Sequence, residues 1–211
     1  MARPVSIKDE TIIDAARAVF LERGFAATTA EVADRAGVSE GTLFNRFRSK
    51  SELFQAAMQP QFAELAWLAD LEARVGQGDL QAQLTELGTA GVGFFRQLMP
   101  LIMMSYANPS PGGLPESLMQ PNPPPLRALQ RLSGYFEAEI RLGRLRPVDP
   151  EILARIFLGS LQQYVFFELL FQAQHTLPLP LPTFLRGLVA MLWSGAAPPV
   201  PEDTSPVRSP A

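Results

Sequence analysis

The spacing of apolar residues predicts helices along most of the chain. In the segments 7–23, 79–107, 126–142 and 183–194, apolar residues return every three or four positions, which is the period of a helix with one buried face. No segment shows the regular alternation of apolar and polar residues that a half-buried strand requires. The pattern therefore predicts an all-α protein.

The segment 149–174 differs because it is apolar on nearly every side. Asp149 is a suitable N-cap and Pro150 a suitable first helical residue, so one long helix is expected here. A helix that is apolar all round needs cover on every side. We therefore expect a homodimer whose interface is built from the helices 149–174 and 183–194.

Two short helices joined by a tight turn are predicted between residues 28 and 47. Thr28 and Glu31 have the spacing of a capping box at the start of the first helix. Gly37 suits the left-handed backbone that ends it, and Ser39 can cap a second helix over about residues 40–47. This is the pattern of a helix-turn-helix.

The second of these helices has two different faces. Leu43, Phe44 and Phe47 are expected to pack inward, whereas Thr42, Asn45 and Arg46 fall on another side and suit hydrogen bonds to base edges. Between residues 42 and 51 there are three basic residues and no acidic one. The residues expected nearest DNA are Thr42, Asn45 and Arg46 at the bases, Gly41 where the backbone approaches the groove, and Thr28, Thr29, Ser39, Arg48 and Lys50 at the phosphates.

The block from Thr11 to Met58 resembles the N-terminal domain of the TetR family of transcriptional regulators. The residues that carry the resemblance are ERGF at 22–25, TT at 28–29, AGVSEGTLF at 36–44 and SK at 49–50. Phe44 stands where this family usually has an aromatic hydroxyl, so we expect Arg46 or Arg48 to replace its phosphate contact. The resemblance implies that the last two helices pair with those of a second copy, and that the helix starting at Lys50 transmits a signal.

Three regions are expected. Residues 1–57 form an N-terminal three-helix helix-turn-helix DNA-binding domain, and residues 58–196 form a C-terminal helical ligand-binding and dimerisation domain. Residues 197–211 are rich in proline and small or charged residues, which predicts a disordered tail. The helix that begins at Lys50 is expected to reach Leu71, with a kink or division at Pro60.

Composition narrows the function further. The chain has no cysteine, a single histidine and a net charge of −3, so we expect no metal, no cofactor and no enzymatic activity. No N-terminal stretch has the apolar core of a secretory signal, and no segment is expected to cross a membrane. These features favour a cytoplasmic protein whose DNA binding depends on a local basic site.

The larger domain has an excess of methionine and aromatic residues. Within the helix 79–107, which is expected to break near Pro100, Gly88, Gly91 and Gly93 allow either close helix packing or an empty volume. Methionine suits a pocket that accepts varied ligands, and the loop 108–125 is a candidate entrance. The residues expected to bind a small apolar ligand are Phe94, Phe95, Met99, Met103, Tyr106, Tyr135, Tyr164 and Glu168.

These features predict a repressor that a mainly apolar ligand releases from a palindromic double-stranded operator. Two alternatives remain open, namely a constitutive dimeric DNA-binding protein without a ligand, and a ligand-binding protein that has lost its DNA site. Glu168 is the one acidic residue in the most apolar helix. It fits three environments: a polar group of the ligand, a dimer interface, or an exposed strip.

Overall fold

The computed structural model describes residues 9–59, 66–107 and 120–196, and these ranges contain helices and no strand. One-turn 3-10 helices lie at Gly24–Ala26 and Ala66–Leu68. The α-helices in chain order are α1 (Asp9–Arg23), α2 (Thr29–Ala36), α3 (Glu40–Phe44), α4 (Lys50–Met58), α5 (Leu71–Arg74), α6 (Leu80–Ala107), α7 (Pro124–Arg141), α8 (Pro150–Phe171), α9 (Ala173–Thr176) and α10 (Leu181–Ala196). The predicted all-α class is confirmed.

Helices α1 to α4 pack around one hydrophobic cluster. The rings of Phe20 and Phe54 meet edge to face with centroids 5.1 Å apart, and Phe25 meets the same Phe54 ring at 5.0 Å. Such pairs add to the stabilisation from burial alone. Arg17 on α1 donates from Nε to the carbonyl of Ala57 at 2.8 Å, so it satisfies a carbonyl in the last turn of α4.

The larger domain has its own cluster, formed mainly by α6, α7, α8 and α10. A Cβ atom added at Gly88 would lie 2.6 Å from Leu185 on α10, and one added at Gly91 would lie 2.8 Å from Leu161 on α8. A Cβ added at Gly93 would have nothing within 4 Å. Two roles were possible for these glycines, close helix packing or an empty volume. Gly88 and Gly91 allow close packing, and none of the three glycines opens an internal volume.

A buried carboxylate fixes the turn that leads into α6. Glu139 on α7 is fully buried, accepts a hydrogen bond from the backbone N–H of Gly76 at 2.9 Å, and pairs with Arg144 at 3.2 Å. Arg144 also donates to the carbonyls of Gln77 and Gly78. The turn before α6 is thus held by one side chain near the end of α7 and one that follows it.

Helix α6 belongs to both domains. It runs through Pro100 as one helix, which corrects the expected break near that residue. Leu101 and Met104 in its second half join the hydrophobic cluster of α1 to α4, while Leu84, Leu87 and Val92 in its first half lie in the larger core. Packing on both sides supports a helix that the proline weakens.

Among the described residues, α6 is also the one helix whose length and composition would allow it to cross a membrane. Core helices of globular domains have the same properties, and α6 contributes buried side chains to both clusters. This packing explains part of its apolar character, since 39% of the apolar window is buried.

Several helix ends differ from the sequence-based expectation. Helix α4 ends at Met58, so of the kink or division expected at Pro60 the division occurs, and α4 does not continue to Leu71. Gln59 has an extended backbone (φ −61°, ψ 115°), because a residue that precedes proline is pushed out of the helical region. Helix α8 ends at Phe171, where Gln172 adopts a left-handed conformation (φ 49°). Residues 108–119 of the predicted loop, and the predicted tail 197–211, lie outside the described residues.

Candidate DNA-binding face and ligand cavity

The predicted capping residues determine where the helices of the helix-turn-helix begin and end. Thr28 accepts from the N–H of Glu31 at 3.2 Å, and its own N–H donates to the Glu31 carboxylate at 2.7 Å, which is a complete capping box. Gly37 has φ 68° and ψ 31°, and Ser39 accepts from the N–H of Thr42 at 3.1 Å. These local contacts define the start of α2, its end and the start of α3.

Helix α3 is shorter than predicted and buries a narrower face. It ends at Phe44, with Asn45 as its C-cap, and only Leu43 and Phe47 pack into the core. Phe44 is 46% exposed, which corrects its assignment to the inward face. The reason is that α3 has only five residues and packs against α2, so one stripe of its side chains, which includes Leu43, is covered, and residue 44 is turned about 100° from residue 43.

The outward face of α3 contains most of the residues expected to read bases. Gly41 and Asn45 are exposed and Thr42 is partly so. A Cβ added at Gly41 would meet nothing closer than 3.8 Å, the hydroxyl of Ser39. The Thr42 hydroxyl is 2.9 Å from that of Ser39, so the two share one proton and keep acceptor capacity on the surface.

Arg46 has a partner within the chain. Its guanidinium forms an ion pair with Asp9 at the start of α1, and the Arg46 side chain is about one-third exposed (32%). The pair holds Arg46 close to α1. A contact between Arg46 and a base would therefore compete with this ion pair.

The residues expected near phosphates differ in how they are held. Thr29 donates to the carboxylate of Glu40 at 2.8 Å, which links the starts of α2 and α3. Lys50 donates to the carbonyl of Phe25, and its ammonium lies 4.5 Å from the centre of the Phe25 ring. The Arg48 side chain is exposed, and its contact with the other described residues is through its backbone N–H, which donates to Glu52 at 2.8 Å. Arg48 is thus free to contact a phosphate, whereas Lys50 also has a structural role.

A mainly apolar cleft of about 330 Å³ lies between α6, α7 and α8. From α6 it is lined by Phe94, Phe95 and Leu98, and from the 3-10 helix before α5 by Trp67. Two polar residues of α8, Arg155 and Gln162, lie at its edge. The other lining residues that the structure describes are Pro125, Leu126, Ala128, Leu129, Leu158 and Gly159.

This cleft does not bring together the eight residues expected to bind a ligand. Only Phe94 and Phe95 line this cleft. Met99 is buried in the core, Met103 is partly buried, and Tyr106 is 65% exposed near the end of α6. Spacing on a helix could not reveal this, because α6 presents successive residues to the core, to the N-terminal domain and to solvent.

The remaining three tyrosine and glutamate residues take part in internal contacts. Tyr135 donates to the side-chain carbonyl of Gln83 at 2.7 Å, and burial, reinforced by the nearby Glu139 carboxylate, raises the pKa of the Tyr135 phenol. Tyr164 stacks on Phe184 and donates to a backbone carbonyl. The phenols stay protonated and serve as donors within the fold.

Glu168 forms a bidentate ion pair with Arg96. The carboxylate accepts from Nε at 3.0 Å and from a terminal nitrogen at 2.9 Å, and this contact raises the pKa of the Arg96 guanidinium. Glu168 therefore joins α8 to α6 within one protomer. This pairing within the protomer differs from all three environments considered for Glu168, namely a polar group of the ligand, a dimer interface and an exposed strip.

Comparison with known proteins agrees with the geometry. Residues 12–57 match the family described as bacterial regulatory proteins of the tetR family, and residues 122–180 match the C-terminal domain of AefR-like transcriptional repressors. RutR of Escherichia coli, an HTH-type transcriptional regulator, is 31% identical over 171 residues, which are 79% of this chain and 77% of RutR. The chain belongs to the TetR family.

Solved structures of TetR-family proteins have the same fold. A regulator from Mesorhizobium loti superposes with a TM-score of 0.68 at 19% identity, covering 93% of this chain and 100% of that one. SmeT in complex with triclosan gives 0.59 at 23% identity, covering 89% and 90% of the two chains. A shorter match, to YvkB of Bacillus subtilis, is 28% identical and spans 48% of this chain and about half (52%) of YvkB.

This TetR-family chain is thus a DNA-binding transcriptional regulator and not an enzyme. Sequence reasoning missed two features of its sites. Phe44 is an exposed aromatic residue on the outward face of α3, whereas the apolar spacing predicted that it packs inward with Leu43 and Phe47. Trp67 lines the cleft from the 3-10 helix Ala66–Leu68, whereas its position falls in the helical segment expected to continue past Pro60, and no spacing in that segment singles it out.

Proposed function

We propose that the protein is a homodimeric repressor that leaves a palindromic operator when a mainly apolar small molecule binds the cleft between α6, α7 and α8. The observation that carries the proposal is the course of α6. Leu98 lines the cleft, and Leu101, one turn further along the same helix, is buried in the N-terminal cluster. A shift of α6 caused by a ligand would therefore act directly on the domain that carries α3.

On DNA, we expect Thr42, Asn45 and Arg46 at base edges, with the backbone at Gly41 close to the groove. An Arg side chain pairs well with guanine and an Asn side chain with adenine. Phe44, which is exposed on the same face, suits apolar contact with a thymine methyl group. The residues expected at phosphates are Thr28, Thr29, Ser39, Arg48 and Lys50.

The dimer is supported by an apolar surface on α8 and α10 that the described part of the chain leaves exposed. Ile152 and Ile156 on α8 are 55% and 47% exposed, and Met191 on α10 is 76% exposed. These three residues border one apolar groove between the two helices. A second copy related by a two-fold axis would cover this groove, and would set two reading heads at the spacing of about 34–36 Å that a palindromic site requires.

The ligand needs to provide only a modest free-energy difference. A coupling of about 1–3 kcal/mol between ligand and DNA corresponds to roughly a 5–150-fold loss of DNA affinity. Such a coupling exists only if the ligand binds more tightly to one position of α6 than to the position that α6 has in the DNA-bound protein. SmeT, whose structure with triclosan has this fold, is the repressor of the Stenotrophomonas maltophilia multidrug efflux pump SmeDEF, and this structural neighbour supports the sensor hypothesis.

Gly159 offers a direct test of the cleft. It lines the cleft from α8, and a Cβ added there would meet nothing within 4 Å, so Gly159→Leu should fill the cleft and leave the core intact. Apolar compounds would first be screened for thermal stabilisation of the wild type. We expect those that stabilise it to release a duplex selected from a random library, and to have no effect on Gly159→Leu, which should still bind that duplex.

Gly134→Leu is the matched control. Gly134 on α7 also has nothing within 4 Å of an added Cβ, but it lies outside this cleft, so its response to the compounds should match the wild type. If no compound both stabilises the protein and releases DNA, the constitutive dimeric binder becomes the better description. In either case the protein binds DNA, which fits a cytoplasmic location.

A further inference from the structure

The first residue of α3 is an exposed carboxylate, Glu40. Its Oε1 atom accepts a hydrogen bond from the Thr29 hydroxyl at 2.8 Å. Within the described part of the chain, no ion pair or hydrogen bond engages its Oε2 atom. One oxygen is therefore held by a neighbouring helix start, and the other remains an open acceptor at the surface.

Glu40 lies among the residues expected nearest DNA. Gly41 follows it directly, and Phe44 lies four positions later on the same side of the helix, where it is 46% exposed. The N-terminal residues of a recognition helix are those that contact base edges in the major groove. Glu40 thus belongs to the exposed side of α3, at the end that is expected to enter the groove.

A carboxylate at this place can distinguish between bases. When ionised it only accepts hydrogen bonds. In the major groove guanine and thymine present acceptors, adenine presents an amino group beside the N7 acceptor, and cytosine presents its N4 amino group without an adjacent acceptor. Phosphates and base acceptors repel the negative charge, so the contact is favourable chiefly where Glu40 meets the amino group of cytosine.

We propose that Glu40 accepts a hydrogen bond from the N4 amino group of one cytosine in each half-site, and that Thr29 positions the carboxylate for this contact. The inference rests on the proposed placement of α3 in the major groove and adds a residue that determines specificity there. Phe44 is about 6 Å further along the helix axis, which corresponds to roughly two base steps. We therefore expect this C·G pair within about two base pairs of a T·A pair that Phe44 contacts.

Selection from a random duplex library measures the base preference of each variant. The wild type should enrich sites in which one position of each half is C. Glu40→Ala should lose the preference at this position and keep the preferences elsewhere. Glu40→Gln should change it from C to A, because a glutamine amide pairs with N6 and N7 of adenine.

Fluorescence anisotropy with two duplexes that differ only at this position gives the magnitude. The wild type should bind the C duplex at least about 5-fold more tightly than the A duplex, and Glu40→Ala should bind the two alike. Thr29→Val should reduce the preference for C without creating one for A. Glu137→Gln removes one exposed carboxylate on α7 and, as the charge-matched control, should keep the wild-type ratio.

N4-methylcytosine at the selected position tests the contact without changing the protein. Its methyl group takes the place of the amino hydrogen that points into the major groove and leaves the pairing with guanine intact. Wild-type affinity should fall at least about 5-fold, whereas Glu40→Ala should bind the methylated and unmethylated duplexes alike. An equal loss in both proteins would overturn the inference, because another group would then read this base.

The outcomes separate this inference from the DNA binding on which it rests. If Glu40→Ala raises the affinity for every duplex equally and leaves the preferences unchanged, Glu40 only repels phosphates and the inference is wrong. If the wild type enriches no duplex, DNA reading by α3 fails as well. Glu40→Gln keeps an oxygen that can accept from Thr29, so its change from C to A supports the contact even if Glu40→Ala is unstable.

Discussion

At the scale of single residues, Arg46 has two competing partners. In the free protein its guanidinium pairs with Asp9, whereas on DNA we expect it at a base edge. Arg46→Ala should cost about 1–3 kcal/mol of binding free energy and relax one base position. Asp9→Ala should strengthen binding by up to about fivefold, since an exposed ion pair contributes about 0.2–1 kcal/mol.

Fluorescence anisotropy with operator duplexes would measure both effects. Glu10→Ala, next to Asp9 and also exposed, makes the same change in net charge without removing the partner of Arg46. Its affinity should rise less than that of Asp9→Ala. Unchanged affinity and sequence preference in Arg46→Ala would show that the reading face has been assigned to the wrong residue.

Lys50 and Arg48 are expected to differ although both are basic and close in sequence. Removal of either side chain should flatten the dependence of DNA affinity on salt by about one unit, because one phosphate contact is lost. Only Lys50→Ala should also lower the free energy of unfolding, by about 1 kcal/mol, because its ammonium contacts the Phe25 ring and carbonyl. Denaturant unfolding of Lys50→Ala and Arg48→Ala tests this, and equal stabilities would contradict the structural role of Lys50.

At the scale of elements, the glycines of α6 set its distance from α8. Gly91→Ala would place a Cβ 2.8 Å from Leu161, and we expect a loss of about 1 kcal/mol of stability, because overpacking outweighs the better helix propensity of alanine. Gly93→Ala is the control. It has nothing within 4 Å and should gain about 0.5–1 kcal/mol. Thermal unfolding that ranked the two variants in the opposite order would refute this packing.

At the scale of the whole molecule, the proposed dimer brings together two reading heads. Met191→Glu would introduce a charge into the exposed apolar groove of α8 and α10. We expect it to dissociate the dimer and to weaken operator binding by more than tenfold, because one head alone has about half of the contacts. Sedimentation equilibrium at micromolar concentration measures the change in mass.

Leu142→Glu is the matched substitution outside the groove. Leu142 follows α7 and is 56% exposed, so the same charge there should leave both mass and DNA affinity close to those of the wild type. A Met191→Glu protein that remained dimeric would place the interface elsewhere.

The features that could be predicted from sequence are those in which cause and effect lie close along the chain. A cap connects residues a few positions apart, so Thr28, Gly37, Ser39 and Asp149 were sufficient to locate both ends of α2 and the starts of α3 and α8. The periodic apolar positions were sufficient for the helical class, since they reflect burial averaged over a whole helix. Pro60 likewise identified the end of α4, because a proline acts on the residue just before it.

Tertiary structure decided everything that depends on which partner covers which side of a helix. The exposure of Phe44 follows from how little of α3 the neighbouring helices cover, and the close approach at Gly88 and Gly91 follows from leucines that are distant in sequence. The cleft is formed by side chains from three helices and a 3-10 turn, so no single periodic pattern contains it. Trp67 shows the same limit, because only the assembled wall leaves its N–H without an acceptor.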